Sequence, residues 1–142
     1  MTYMSGVADQ LRDARSIPEL LGAACDAFEV VLTLVRRHDR PEDGWFVPMV
    51  MAAAWAGDGR DHLLFAPSLP AQRSGEAFGL DDDACTPDGQ AAARWLAGLC
   101  ETLNNELNSA AASAGLIGDR NACMGAASCA RQICALMGGA WP

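Results

Sequence analysis

The sequence has no lysine: its ten basic residues are all arginine. Without a lysine amine there is no Schiff-base chemistry on pyridoxal phosphate and no P-loop lysine on a nucleotide phosphate. Histidine is nearly as scarce, with His38 and His62 alone, which leaves little for general acid–base work. A G-x-S-x-G elbow, an H-E-x-x-H helix and a phosphate-binding glycine loop are all missing. So is a long apolar run. The longest uncharged one, Trp45 to Gly57, falls short of the roughly 20 residues that span a bilayer. Met1 to Ser16 is polar and lacks the apolar centre of a secretory leader. These absences lead to the expectation of a cytoplasmic protein with no catalytic residues of a recognised type. No internal repeat or low-complexity tract breaks the chain.

What is present fits one helical domain over residues 1–142. A chain of this length buries roughly two-thirds of its unfolded surface, enough to fold without disulfide or metal. The composition, 51% hydrophobic and 20% charged, is that of a globular protein. The net charge is −8, and the arginines are scattered except for Arg36, Arg37 and Arg40. An acidic surface repels nucleic-acid phosphates and anionic lipid heads, so neither nucleic acid nor membrane is an expected partner. Arginine in place of lysine, beside many alanines, also fits a GC-rich bacterial genome.

The apolar spacing predicts an all-α fold resembling a four-helix bundle, with a short extra helix at the start and one long irregular loop, about residues 58–85. Tyr3 to Arg15 is the short helix, with Val7 and Leu11 on one side. Ser16-Ile17-Pro18-Glu19 is a capping box with proline in the first turn, and it opens a helix from Ile17 to about His38. There Ile17, Leu21, Ala24, Phe28, Val31 and Val35 form one stripe, and Ala23, Ala27, Val30 and Leu34 form a second beside it. A surface helix needs a narrower apolar arc. This one is either central in the bundle or buried by a second chain, which makes Ala23, Ala27, Val30 and Leu34 candidate interface residues of a homodimer. Trp45 to Ala56 is apolar all round and reads as a core helix, ended by Gly57-Asp58-Gly59. Thr86-Pro87-Asp88 restarts the helical signal with threonine as N-cap, for a helix to about Gly115 whose wet face carries Glu101, Asn104, Asn105 and Asn108. Asp119 is the expected N-cap of a last helix, Arg120 to about Met137, stopped by Gly138-Gly139.

Six cysteines, at 25, 85, 100, 123, 129 and 134, are expected as free thiols in a reducing compartment. The last three are spaced by six and five positions rather than as a C-x₂-C zinc pair, and they lie in an apolar arc, so small core residues explain them better than a thiolate cage for a soft metal. No metal or cofactor is expected. Cys85 stands apart, beside a helix start that favours thiolate and after Asp81-Asp82-Asp83, which opposes it. That acidic run lacks the glycine an EF-hand needs at its sixth position and reads as a solvated turn. His38 reads as a cation on the negative end of a helix.

Two functions remain. The favoured one is a non-enzymatic, self-associating helical interaction protein, accessory or regulatory, of a bacterial cytosol. The alternative is a small enzyme or ligand-binding bundle whose site lies under the 58–85 loop, with Arg60, Asp61, His62, Arg73 and Cys85 as its polar groups. The long loop motivates the alternative; the over-wide arc on Ile17–His38 and the poverty of catalytic residue types motivate the first.

Overall fold

A computed structural model describes residues 2–38, 40–42, 44–70 and 88–138, with side chains from Gly6 onward. Among them the fold is all-helical. Five α-helices follow in order: α1 Thr2–Asp13, α2 Ile17–Val35, α3 Phe46–Leu64, α4 Gly89–Ser113 and α5 Ile117–Leu136. No helix among the described residues is long and apolar enough to cross a membrane.

The start of α2 is built as its capping box dictates, with one shift. The Ser16 hydroxyl accepts from the Glu19 amide at 3.2 Å, while the Glu19 carboxylate takes the Arg15 amide at 3.0 Å rather than that of Ser16. The helix tightens into a 3₁₀ turn, Arg36–His38, before the chain reverses. His38 closes that turn and is buried. At the far end of the chain, Gly138 takes φ +80°, the left-handed conformation that stops α5 where the glycine pair predicts.

The principal contacts run α2–α3, α3–α5, α5–α4 and α4–α2, so these four helices form a ring, with α1 lying on α2 and α4. Helix directions follow from close approaches. A Cβ built on Gly118 would meet Pro67 at 2.8 Å, and one on Gly125 would meet His62 at 2.5 Å, so the end of α3 lies against the start of α5. Gly89, opening α4, sits against the Trp45 ring at the start of α3. Helices α3 and α4 therefore run parallel, and the connection from Pro70 to Asp88 joins opposite ends of a bundle about 28 Å long, at 1.5 Å per residue of α3. Spanning that distance takes about nine extended residues, so the seventeen residues from 71 to 87 exceed what the topology needs.

Several boundaries differ from the sequence reading. The Gly57-Asp58-Gly59 triplet does not end α3, which continues to Leu64. Glycine weakens a helix by only about 1 kcal/mol, and Gly59 is needed there: a Cβ would stand 2.6 Å from the Phe28 ring of α2. Residues 58–64 are thus helix, and the irregular stretch begins later than position 58. Helix α4 starts after Asp88, whose carboxylate accepts from Ala91 N at 2.7 Å; the expected cap Thr86 lies outside the described residues. Helix α5 begins two residues before Asp119, so that aspartate is not its N-cap.

Helix α2 takes the central place that was one of the two expected of it, whereas α3 departs from its expected role. Eleven residues of α2 are buried, among them Ala27, Val30 and Leu34, with Ala23 partly so. The arc is wide because α2 touches α1, α3 and α4 at once. The candidate dimer interface is this chain's own core. Helix α3, apolar all round in its first half, buries only Met49, Ala52, Ala56, Gly59 and Leu63 and leaves Val47, Val50 and Met51 exposed. It is not a core helix.

Candidate functional site

Arg60, Asp61 and His62 lie on the last turns of α3, not in a loop. Successive residues on a helix point about 100° apart, so the three leave the helix in different directions. Arg60 reaches α2, where its Nη1 donates to Glu29 Oε1 at 3.1 Å. His62 lies against Gly125 of α5. Asp61 points outward between them, 3.7 Å from Arg60 Nε and 59% exposed. The structure therefore pairs Arg60 with Asp61 at the surface and turns His62 away from them to α5. Arg73 and Cys85, the other two candidates, lie outside the described residues, as does Asp81-Asp82-Asp83.

The five cysteines among the described residues are free thiols, all buried. Cys100 and Cys134 approach each other between α4 and α5; burial, and secondarily the neighbouring Cys134, raises the Cys100 thiol far above its ordinary value. Burial, then the Asp119 charge, pushes Cys123 up to about 11; burial, then Asp58, does the same to Cys129. Burial, then Glu101, raises Cys134. Thiols held protonated are poor nucleophiles and poor ligands, and among the described residues no three of His, Cys, Asp and Glu gather to hold a metal.

Between the α1–α2 turn and the second half of α4 lies a cleft of about 280 Å³ bordered by Arg15, Ser16, Glu106, Ser109 and Ser113. It sits at the lower edge of ligand-pocket size. Its Ser16 hydroxyl already caps α2, and it lies on the α2–α4 side, away from Arg60, Asp61 and His62.

What sequence reasoning missed is buried Asp119. Third in α5, it accepts from Ser68 N at 2.9 Å and from Ser68 Oγ at 2.5 Å, and so ties the chain leaving α3 to the start of α5. Its negative charge suits the first turn of a helix. The signal available was an acid three residues inside a helix start; its partner, 51 positions away, could not be read.

The surface around that tie is apolar. Leu64 and Phe65 end α3, Leu116 and Ile117 begin α5, and all four are exposed, Phe65 at 84% and Ile117 at 74%. With Val47, Val50 and Met51 on α3 and Met124 on α5, these are the exposed large hydrophobic residues among those described, and they belong to the α3–α5 side. Helix α1 covers the opposite, α2–α4 side. No protein-family model, no curated protein and no solved structure matches this chain.

Proposed function

We propose that this is a non-enzymatic helical interaction protein, accessory or regulatory in role, whose working surface is the outer face of α3 and α5. One observation carries the reading: among the described residues eight large apolar side chains stand 44 to 84% exposed, all on the two helices that α1 leaves uncovered or in the turns at their junction. Exposed apolar residues gathered on one side of a fold mark a contact site more often than residues scattered singly do. Of the groups that motivated an enzymatic alternative, Arg60 and Asp61 pair with each other and His62 turns to α5, while Arg73 and Cys85 lie outside the described residues. A reducing, cytoplasmic setting accords with five thiols kept in the core.

The experiment is photo-crosslinking in cells. A photoreactive phenylalanine analogue at Met124, on the α3–α5 side, is expected to give discrete adducts of higher mass. The same analogue at Asn105, exposed on α4, is the control. If Met124 gives no adduct beyond those of Asn105, this face has no protein partner and the reading fails.

A further inference from the structure

The cleft between the α1–α2 turn and α4 lies away from the exposed apolar face, and its walls carry charges of both signs. Helices α1, α2 and α4 meet around it. Arg12 Nη2 of α1 donates to Thr102 Oγ1 of α4 at 3.4 Å, which sets the height of one helix against the other. Three residues on from Arg12 stands Arg15, on the turn; four on from Thr102 stands Glu106, on the facing wall. Glu106, Ser109, Ala110 and Ser113 are spaced three and four apart and so share one face of α4. The floor is apolar, with Leu20 and Ala110 buried. Serine and alanine, where larger side chains would fill the space, leave a hollow of about 280 Å³.

Arg15 and Glu106 are the charged groups of this cleft. Among the described residues neither side chain makes a hydrogen bond or ion pair, with the other or with any third group. Glu19 holds the main-chain amide of Arg15, not its guanidinium. The start of α2 does not itself supply an anion site. Pro18 has no amide, the Glu19 amide is taken by Ser16 Oγ, and the Leu20 amide by Ser16 O. The Ser16 hydroxyl accepts in that cap and keeps its own proton to donate.

From this we infer that the cleft binds a small zwitterion of the α-amino-acid class with an aliphatic side chain. The ligand carboxylate accepts from the Arg15 guanidinium, whose paired N–H groups match its two oxygens, and from the Ser16 hydroxyl. The ligand ammonium donates to Glu106. The aliphatic part lies on Leu20 and Ala110, an apolar floor beneath a few polar groups. A simple anion would leave Glu106 without a partner and a simple cation would leave Arg15 without one, so the pair selects a molecule bearing both charges. The hollow matches the share of about nine waters at about 30 Å³ each, which suits a molecule of leucine size and excludes a nucleotide. Small and open, it is expected to bind in the micromolar to millimolar range. The site is separate from the α3–α5 face, and neither reading depends on the other.

The test is titration of the purified full chain with L-leucine, followed by backbone amide chemical shifts. Residues 14–20 and 106–113 are expected to move along saturable curves, while Phe65 and Met124 stay in place. N-acetyl-L-leucine lacks the ammonium and L-leucinamide lacks the carboxylate; each should bind about tenfold more weakly, since it leaves one charged wall without its partner. Arg15→Gln and Glu106→Gln should each weaken L-leucine by a similar factor. Ser109→Trp, at an exposed position, should fill the hollow and abolish the shifts, with a melting curve that shows an intact fold. Absence of saturable shifts at millimolar L-leucine overturns the site. Equal binding of L-leucine and its two derivatives to the wild-type chain overturns the zwitterion assignment, as does undiminished binding by Arg15→Gln or Glu106→Gln.

Discussion

Gly57 and Gly59, two residues apart on α3, show how far a residue type alone carries meaning. The pair, with Asp58 between, looks like a helix stop, yet both glycines are helical. A Cβ at Gly59 would stand 2.6 Å from two atoms of the Phe28 ring, in the core, whereas one at Gly57 meets nothing within 4 Å. Substitution by alanine should have opposite signs. Gly57→Ala removes backbone freedom from the unfolded chain and is expected to stabilise by about 0.5–1 kcal/mol. Gly59→Ala gains the same but forces Phe28 from a closed site, for a net loss of about 1–2 kcal/mol. Urea denaturation of the two variants checks both signs; two stabilising results would show that Phe28 has room to move. The sequence holds the conformational cost of glycine and omits the ring 31 positions away that makes it necessary. His62 is a parallel case, its place set by contact with Gly125 of α5.

At the scale of elements, existence and type were legible, because apolar spacing of three and four residues is a local property. The capping box set the start of α2, and Gly138 the end of α5. Illegible were the faces: which helix is central depends on neighbours, not on its own pattern. Helix α2 is central since three helices meet it, and α3 is peripheral although it is the more uniformly apolar in its first half. The candidate site was legible only in part for the same reason: Arg60 pairs with Asp61 and reaches Glu29, His62 turns to α5, and Arg73 and Cys85 lie outside the described residues. The tie between elements lies instead at Asp119. Asp119→Ala removes both hydrogen bonds to Ser68 and leaves the Ser68 amide without that acceptor, for a cost of about 1–3 kcal/mol. Ser68→Ala keeps the amide bond and removes the hydroxyl donor, for a smaller loss of about 1 kcal/mol. Thermal unfolding should rank them in that order; equal melting temperatures for both variants and the wild type would mean the α3–α5 junction is held by apolar contact alone.

For the whole molecule, the absence of lysine and the burial of cysteine act together on alkaline stability. Between pH 9 and 11 an ordinary protein titrates lysine, cysteine and tyrosine at once. Here lysine is absent and tyrosine occurs once, so the thiols dominate. Cys123 and Cys129 stand near 11 in the folded chain, against an ordinary 9.0, because burial penalises the thiolate. Above pH 9 the unfolded chain releases protons that the folded one keeps, so alkali favours unfolding. Stability from these groups is complete below about pH 9 and is lost as pH rises toward 11, with a slope of at most about 1.4 kcal/mol per pH unit for each thiol. Denaturation midpoints should therefore be flat from pH 7 to about 8.5 and then fall. The Cys123→Ala, Cys129→Ala double variant should start lower, having lost packing, and fall less steeply. The same burial limits chemistry at neutral pH: iodoacetamide should add at most one group to the native chain, since five thiols are shielded, and six to the unfolded chain. A wild-type stability curve as flat at pH 10 as at pH 8, or native labelling of Cys100 or Cys123, would show that the thiols lie closer to solvent than the helical ring places them.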